Sequence, residues 1–319
     1  MIRPTAPDSD VSLGDQLARL PESCRQGGRG WAAAAASILE ASAPKPGNVH
    51  PAAEFPDLTH AELVAAGLAI APAMDAAAEV PLGHTILAAV TAARQVTRSN
   101  ANLGIVLAIA PLAAVADAGR QTATPSTVAA PSPAAVAGVF ARLTPADSAD
   151  VWTAIGLAQP GGMGQSSRHD IAGPPPDDLL AAMRLAAPRD SIARLWSEGY
   201  ESLQLGLVTD LAAGIDRGLA IYDAIVVAFL AQLAREPDSL IVRKHGSEVA
   251  AEVSRRAAAA LEQPLEIPAF DRFLRSPRRL NPGTTADLTA AALYILLRDG
   301  RLLANANVPS DLLPHDPRP

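Results

Sequence analysis

Apolar residues recur at helical spacing along most of this 319-residue chain. Side chains three and four positions apart lie on one face of a helix, so such runs are typical of helices that bury that face. Proline, glycine and short polar stretches mark where the runs stop. The pattern predicts helices over Trp31–Glu40, Ala61–Ala73, Gly83–Val96, an apolar run from Leu103, and then Pro145–Ala158, Asp190–Leu207, Val208–Ala234, Ser239–Leu261 and Thr284–Leu297.

Two segments between these runs predict long connections. Gln121–Pro133 is rich in Thr, Ser and Pro, which favours a surface connection. Gln159–Pro176 holds four glycines and four prolines with few apolar residues, so it cannot form regular structure. Because long loops inside compact domains are often functional, we expect the second segment to be a lid or to face a ligand.

The composition indicates which kind of core these helices build. Aromatic residues make up only 3% of a chain that is 49% hydrophobic, so the core consists mainly of Ala, Leu, Val and Ile. That mixture favours closely packed helices over sheets. We therefore predict an all-α fold: a single multi-helix globular domain over residues 27–305, with long polar loops at its site, a flexible N-terminal tail (1–26) and a C-terminal tail (306–319).

Charge, cysteine content and hydrophobic segments indicate which partners and cellular compartments to expect. A net charge of -7 lacks the basic excess of a nucleic-acid binder, so no nucleic acid is expected. The single cysteine, Cys24, permits no internal disulfide and fits a reducing compartment. The N-terminus lacks a secretory pattern, and Leu103–Ala116 is shorter than the roughly 20 residues that span a bilayer. We expect a cytoplasmic protein without a membrane partner.

Polar islands at helix ends are the main clue to chemistry, because inward-pointing polar groups in an apolar bundle need a partner or a ligand. In the first island, Lys45 lies between two prolines and is followed by Gly47 and Asn48, which suits phosphate binding. The alternative is a plain helix stop with a solvated lysine and a surface Glu40.

A second island contains Asn100, Asn102 and Gly104 before a very apolar helix. Backbone amides at such an end form an anion site, although Ser99 or Asn100 capping the helix explains the same residues.

The third and fourth islands lie in the second half of the chain. A glycine-rich stretch containing Gly161 and Gly162 matches neither the P-loop nor the dinucleotide pattern, and a flexible connection explains it equally well. Further on, Asp238 precedes Arg243 and Lys244. After an Asn-Pro-Gly turn, Thr284 or Thr285 is the predicted N-cap of the last long helix, which places Asp287 in its first turn. Asp287 there either complements the helix dipole or holds Mg²⁺ beside substrate phosphates.

In this order the islands resemble the triphosphoribosyl-dephospho-CoA synthase family, which makes the prosthetic-group precursor of citrate lyase and malonate decarboxylase. The resemblance covers about Trp31 to Leu297. It rests on Glu40-Ala-Ser-Ala-Pro-Lys-Pro-Gly-Asn48, Asn102-Leu-Gly104, Pro160-Gly-Gly-Met-Gly164, Asp238-Ser-Leu-Ile and Asn281-Pro-Gly-Thr-Thr-Ala-Asp-Leu288. Members of the citrate lyase type usually carry Thr-His-Lys-Gly where this chain has Asn100 to Gly104. The chain is therefore closer to a divergent branch associated with tetrahydromethanopterin-linked one-carbon metabolism.

The resemblance implies a transferase that moves the 5-triphosphoribosyl group of ATP to the 2′-hydroxyl of 3′-dephospho-CoA and releases adenine. ATP is then a substrate, Mg²⁺ an expected cofactor and a homodimer an allowed state. Two alternatives stay open: a related nucleotide-ribosyl transfer in one-carbon metabolism, and a non-catalytic nucleotide-binding protein of the same fold.

The resemblance also implies residue roles, which we group by function. Breaking the glycosidic bond builds positive charge on the ribose, so carboxylates near the ring and an acid for the leaving base are expected. The implied catalytic residues are Glu40, Asp57 and Asp238, with Asp238 and Asp287 as metal ligands. The implied substrate- and cofactor-binding residues are Lys45, Gly47, Asn48, Asn100, Asn102, Gly104, Gly161, Gly162, Arg243, Lys244 and Thr284.

Overall fold

The computed structural model describes residues 28–98, 102–116, 131–158 and 173–304. Within these ranges the chain is helical, and the only β-type pairings are two isolated bridges in the loop after the first helix. The all-α prediction is confirmed. In the first half, the helices are α1 (Arg29–Ser42), α2 (His60–Ala69), α3 (Ala71–Ala76), α4 (Leu82–Val96), α5 (Leu103–Ala113), α6 (Pro133–Phe140) and α7 (Pro145–Ala158).

The second half continues with further helices and two short turns of other helical types. They are α8 (Leu179–Ala186), α9 (Ser191–Ser197), α10 (Glu201–Leu203), a π-helical turn (Gln204–Val208), α11 (Thr209–Asp216), α12 (Ile221–Arg235), α13 (Ser239–His245), α14 (Ser247–Glu262), a 3-10 turn (Pro264–Glu266), α15 (Ile267–Arg275), α16 (Gly283–Arg298) and α17 (Arg301–Ala304).

Three predicted long helices are broken in the structure, and each break is a left-handed backbone position. Asp190–Leu207 is interrupted at Gly199 and Tyr200, Val208–Ala234 at Gly218, and Ser239–Leu261 at Gly246, all with positive φ. Hydrophobic spacing continues across such a corner because both flanking helices pack on the same core, so the periodicity alone did not show it. The sequence analysis also missed α6, α8 and α15.

Helix α16 forms the centre of the core. It packs against α1, α5 and α12. Its side chains join two apolar clusters: Ala286 belongs to a smaller cluster formed with α12 to α15, whereas Leu288 and the apolar residues that follow it belong to a larger cluster with residues of α1 to α12. Between residues 284 and 298, Asp287 alone is not fully buried. Within this stretch Asp287 is therefore the residue with the largest exposed fraction.

The structure tests the predicted connections, tails and membrane-spanning capacity only within the described residues. Residues 117–130 and 159–172 lie outside the described ranges, as do both predicted tails, so the surface connection and the lid stay predictions. Within the described ranges, no helix has both the length and the apolar character needed to cross a bilayer.

Candidate active site

Asp238 joins the starts of two helices. Its Oδ1 accepts hydrogen bonds from the backbone N–H of Leu240 at 2.9 Å and of Ile241 at 3.1 Å, which caps α13. Its Oδ2 accepts from the N–H of Thr285 at 2.7 Å and from the Thr285 hydroxyl at 2.8 Å, inside the first turn of α16. Burial raises the pKa of Asp238, against the lowering effect of these four hydrogen bonds. Both carboxylate oxygens are therefore committed to holding α13 against α16.

This arrangement corrects the predicted start of α16. The helix begins at Gly283 with Pro282 as N-cap residue, and that cap has no side-chain hydrogen bond. Neither Thr284 nor Thr285 is the N-cap, because the donor at Thr285 is satisfied by Asp238 from another helix. Asp287 consequently lies beyond the first turn, where complementing the helix dipole is no longer an explanation for it.

Three helix starts meet through hydroxyl groups beside this contact. The Ser239 hydroxyl donates to Oγ1 of Thr284 at 3.1 Å and accepts from the N–H of Ser191 at 3.3 Å. Asp190 caps α9 through the N–H groups of Ile192 and Ala193. The starts of α9, α13 and α16 thus converge on a small volume, and the amide ends of helices favour negative charge.

Gly104 brings a fourth helix start to the same place. A Cβ built on Gly104 would lie 1.9 Å from Oδ2 and 2.4 Å from Cγ of Asp287. No side chain fits there, so α5 approaches the carboxylate through bare backbone. Asn102, two residues earlier, is the buried N-cap residue of α5. The second and fourth sequence islands therefore meet at Asp287.

Asp287 is surrounded by other charges. Burial raises the pKa of its carboxyl well above the ordinary value, and the negative charges of Glu40, Asp238 and Asp190 raise it further. Arg243 acts in the opposite direction. A carboxylate in this setting is stabilised by a proton or by a cation from a ligand.

Glu40 and Lys45 form a buried ion pair, in which Glu40 is one of the carboxylates that act on Asp287. Nζ of Lys45 lies 3.0 Å from Oε1 of Glu40, and the two side chains are 0% and 7% exposed. The ammonium also donates to the carbonyl oxygens of Glu40 and, at 3.3 Å, of Ala43. Lys45 is therefore engaged inside the protein, and a phosphate could reach it only if these contacts opened. The solvated lysine of the alternative interpretation is not found.

The loop after α1 is held by the far end of the sequence. Gly47 adopts φ of 77°, and a Cβ there would meet Leu274 and Pro282, so its close approach is to protein. Its N–H donates to Asp271 at 2.8 Å. Asn48 is buried and donates to Oδ1 of Asn281 at 2.6 Å. Within the described ranges, Oδ1 of Asn48 has no hydrogen-bond partner.

Arg243 and Lys244, in the last turn of α13, are two cations near this cluster. Arg243 meets Asp190 at 3.4 Å, a long contact for an ion pair. Lys244 is more exposed. Burial lowers the pKa of Lys244, as do the neighbouring charges of Arg243 and Arg279. These two cations, unlike Lys45, are partly open to a ligand.

Asp57 lies apart from the buried carboxylates. It is 65% exposed on its side chain and pairs with Arg279 at 2.6 Å. The pairing lowers the pKa of Asp57, with the hydrogen bond from Arg279 as the main cause. Asp57 faces Lys244 and not the surroundings of Asp287, so its predicted catalytic role is untested and has no contact in its support.

The structure thus brings together most of the sequence-predicted residues and adds some that were missed. Glu40, Asn102, Gly104, Asp238, Arg243, Thr284 and Asp287 form one cluster, with Lys45 behind it and Gly47, Asn48, Lys244 and Asp57 around it. Asn100, Gly161 and Gly162 lie outside the described residues. Sequence reasoning missed Asp190 and Arg279. Asp190 had a detectable signal, since an aspartate before an apolar-periodic run is an N-cap pattern.

The carboxylates offer no preformed metal cage. Among the described residues, no group of three or more His, Cys, Asp or Glu side chains is placed to hold an ion. Asp238, predicted as a ligand, already uses both oxygens. Mg²⁺ commonly binds through one or two carboxylates together with substrate phosphates and waters, and Asp287 fits that limited role.

Comparisons with known proteins concern the family and the fold of the chain. A model of the family described as ATP:dephospho-CoA triphosphoribosyl transferase matches residues 28–305. The chain is also similar to a crystal structure from Archaeoglobus fulgidus of a protein proposed to be a triphosphoribosyl-dephospho-CoA synthase. The two share 25% sequence identity at a TM-score of 0.57, over 74% of this chain and 99% of the other. A comparison with curated proteins gave no significant match.

Proposed function

The chain belongs to the ATP:dephospho-CoA triphosphoribosyl transferase family, and we propose that it performs this transfer in the cleft around Asp287. It is a transferase with ATP as a substrate and dephospho-CoA as the acceptor. One observation carries the placement: the bare backbone of Gly104 meets Asp287, the one residue between 284 and 298 in the central helix that is not fully buried.

The reaction sets the demands on this cleft. The bond between C1′ of the ATP ribose and N9 of adenine breaks, and adenine leaves with the electron pair and gains a proton. The acceptor hydroxyl forms the new bond to C1′ and loses a proton. Positive charge develops on the ribose in between, so carboxylates near C1′ lower the barrier.

Glu40 is the residue for proton transfer. Its carboxylate is buried, is oriented by Lys45, and lies close enough to Asp287 to affect the pKa of that group. Lys45 is then a positioning residue, because its ammonium touches only Glu40 and backbone carbonyl oxygens among the described contacts. A buried carboxylate held in this way does not reorganise during the reaction.

Arg243 and Lys244 bind phosphate. They are the partly exposed cations next to Asp287 and Asp57, and they lie near the converging starts of α9, α13 and α16. Arginine and lysine side chains commonly bind the phosphates of substrates through charge-assisted hydrogen bonds. Asp238 and Thr284 contribute by holding those helix starts in place.

Mg²⁺, the expected cofactor, would bind together with ATP. Asp287 is the residue that would contact it: burial and the neighbouring carboxylates raise the pKa of Asp287, and a bound cation would stabilise its charged form. When bound, the ion neutralises negative charge on the triphosphate. The protein's own contribution is the position of Asp287 between Glu40, Asp190 and Arg243.

Chromatographic detection of adenine tests the proposal. The protein, incubated with ATP, Mg²⁺ and dephospho-CoA, should release adenine in step with the triphosphoribosyl product, and Asp287→Asn should reduce that rate. Asp178→Asn is a matched control, because Asp178 is an exposed N-cap on α8 and asparagine caps equally well.

Two results would count against the proposal. Nucleotide binding without adenine release under any acceptor condition would leave a non-catalytic nucleotide binder. Release with a different ribosyl acceptor, and none with dephospho-CoA, would support the related transfer in one-carbon metabolism.

A further inference from the structure

Arg279, in the segment between α15 and α16, has an unusual backbone. Its φ of 51° lies in the left-handed region, which residues with a Cβ rarely adopt. Such a conformation persists when surrounding contacts hold it, and it is often found at ligand-binding segments. The next residue, Leu280, is buried and donates its N–H to the carbonyl of Leu274. Arg279 is therefore presented outward from an anchored turn.

The guanidinium of Arg279 is placed by two contacts from the loop after α1. Its Cζ lies 4.0 Å from the ring centroid of Phe55, a cation–π contact with a buried ring. Its Nη2 lies 2.6 Å from Oδ1 of Asp57. Phe55 and Leu58 exchange backbone hydrogen bonds of 3.0 and 3.1 Å, which close the turn that carries Asp57. The Arg279 side chain is still 41% exposed.

Positive charge exceeds negative charge around this pair. Lys244 lies within electrostatic reach of both Arg279 and Arg243, and its pKa is lowered partly by these two cations. Asp57 is the carboxylate that acts on Lys244 in the opposite direction. A cationic surface on a chain whose net charge is -7 favours an anionic ligand at this place.

We infer that Arg279 and Lys244 bind a phosphate group of the acceptor at the mouth of the cleft, and that Asp57 occupies the Arg279 guanidinium while the acceptor is absent. The inference rests on the proposed function. Dephospho-CoA carries a pyrophosphate, so the complex with both substrates contains two separate groups of phosphates. Arg243, which acts on Asp287, serves the ATP phosphates, whereas Arg279, which is held by Phe55 and the exposed Asp57, serves the acceptor.

This assignment gives Asp57 a role different from the catalytic one implied by the resemblance. An exposed carboxylate paired with an arginine occupies the position that a phosphate oxygen would take, since both accept from the same guanidinium. The acceptor therefore displaces Asp57. Asp57 then sets the affinity for the acceptor and does not act on the ribose.

Calorimetric titration of Arg279→Gln tests the inference with three probes: dephospho-CoA, inorganic pyrophosphate, and ATP with Mg²⁺. Loss of a charge-assisted arginine contact predicts about 10-fold or greater weakening for dephospho-CoA and pyrophosphate. ATP affinity should stay within about 2-fold, because Arg279 is not expected to contact the ATP phosphates and the loss of one exposed charge has a small effect elsewhere. Arg256→Gln is the matched control, because Arg256 also stacks on a phenylalanine, at 4.1 Å, and pairs with a carboxylate, at 2.6 Å.

Asp57→Asn gives an independent measurement. Removing a surface competitor should tighten acceptor binding by up to about 5-fold, with a lower KM and an unchanged kcat. A large fall in kcat at unchanged KM would instead place Asp57 at the ribose and overturn its role as a competitor.

Each remaining outcome separates this inference from the proposed function. If Arg279→Gln does not fold, Arg279→Asn replaces it, because asparagine tolerates positive φ. Unchanged binding of dephospho-CoA and pyrophosphate in a folded variant would overturn the inference, as would a loss confined to ATP. If the wild-type protein releases no adenine with dephospho-CoA, the proposed function fails, while the pyrophosphate titration still decides whether the anion site exists.

Discussion

The backbone of Gly104 lies directly against the carboxylate of Asp287, so closely that the two positions exclude any side chain at 104. They come from different sequence islands and from helices that pack against each other, α5 and α16. This contact places the start of α5 against the N-terminal part of the central helix.

Gly104→Ala should therefore destabilise the protein and reduce transfer activity. The new Cβ must displace Asp287 or α5, and overpacking of this kind costs about 1–3 kcal/mol of unfolding free energy. Denaturant unfolding measures the change. Gly138→Ala is the control: a Cβ there meets nothing within 4 Å, so the same substitution in α6 should stabilise slightly. In a double mutant with Asp287→Ala the loss should shrink, because the clashing carboxylate is gone. Equal losses in both backgrounds would show that the contact is not the cause.

The raised pKa of Asp287 predicts a pH-dependent stability difference. A group whose folded-state pKa is raised stabilises the folded protein below its unfolded pKa of about 3.9. That stability is lost as pH rises through the folded value, since a buried charge must then form. Asp287→Asn has no such charge. Its Tm without ligand should match the wild type near pH 4 and exceed it increasingly towards pH 8. A variant that is less stable than the wild type at pH 8 would contradict the burial argument.

The same substitution should weaken binding of ATP only when Mg²⁺ is present. If Asp287 contacts the ion, the lost carboxylate matters once the ion is bound. Calorimetric titrations with and without Mg²⁺ compare the two proteins, and equal affinities under both conditions would remove Asp287 from the nucleotide site.

Lys45→Met should be strongly destabilising. It leaves Glu40 buried without its partner, and breaking one side of a buried pair costs about 3–5 kcal/mol. Urea unfolding tests this directly. The double variant Lys45→Met with Glu40→Gln should recover part of the loss because no charge is then left unpaired. A phosphate-binding lysine would behave differently: Lys45→Met would then lower ATP affinity and leave the unfolding midpoint almost unchanged.

Much of the fold followed from the sequence because a buried helix needs a continuous apolar stripe. Residues 31–40 and 145–158 were predicted as helices and are helical. The corners at Gly218 and Gly246 were missed, since a left-handed residue turns the chain without changing the apolar spacing. The amphipathic α15 was missed as well, because it is only nine residues long and Arg272 and Arg275 interrupt its apolar residues.

The sequence indicated several residues of the candidate site, but it did not indicate the contacts that these residues make. Asp238 and Asp287 were grouped correctly as polar positions in an apolar bundle. Their different environments depend on partners far along the chain: Asp238 meets Thr285, whereas Asp287 meets Gly104. Arg279 gave no signal because its significance comes from Phe55 and Asp57, which lie in another loop.

The position of α16 across both apolar clusters has a consequence for how the protein opens. Neither cluster can open without exposing the same helix, because Ala286 packs with one cluster and Leu288 with the other. We therefore expect the two clusters to unfold as one cooperative unit, with amide hydrogens of α16 that exchange with solvent only in the fully unfolded chain. A ligand held at Asp287, at the junction of the clusters, should slow hydrogen exchange in both of them.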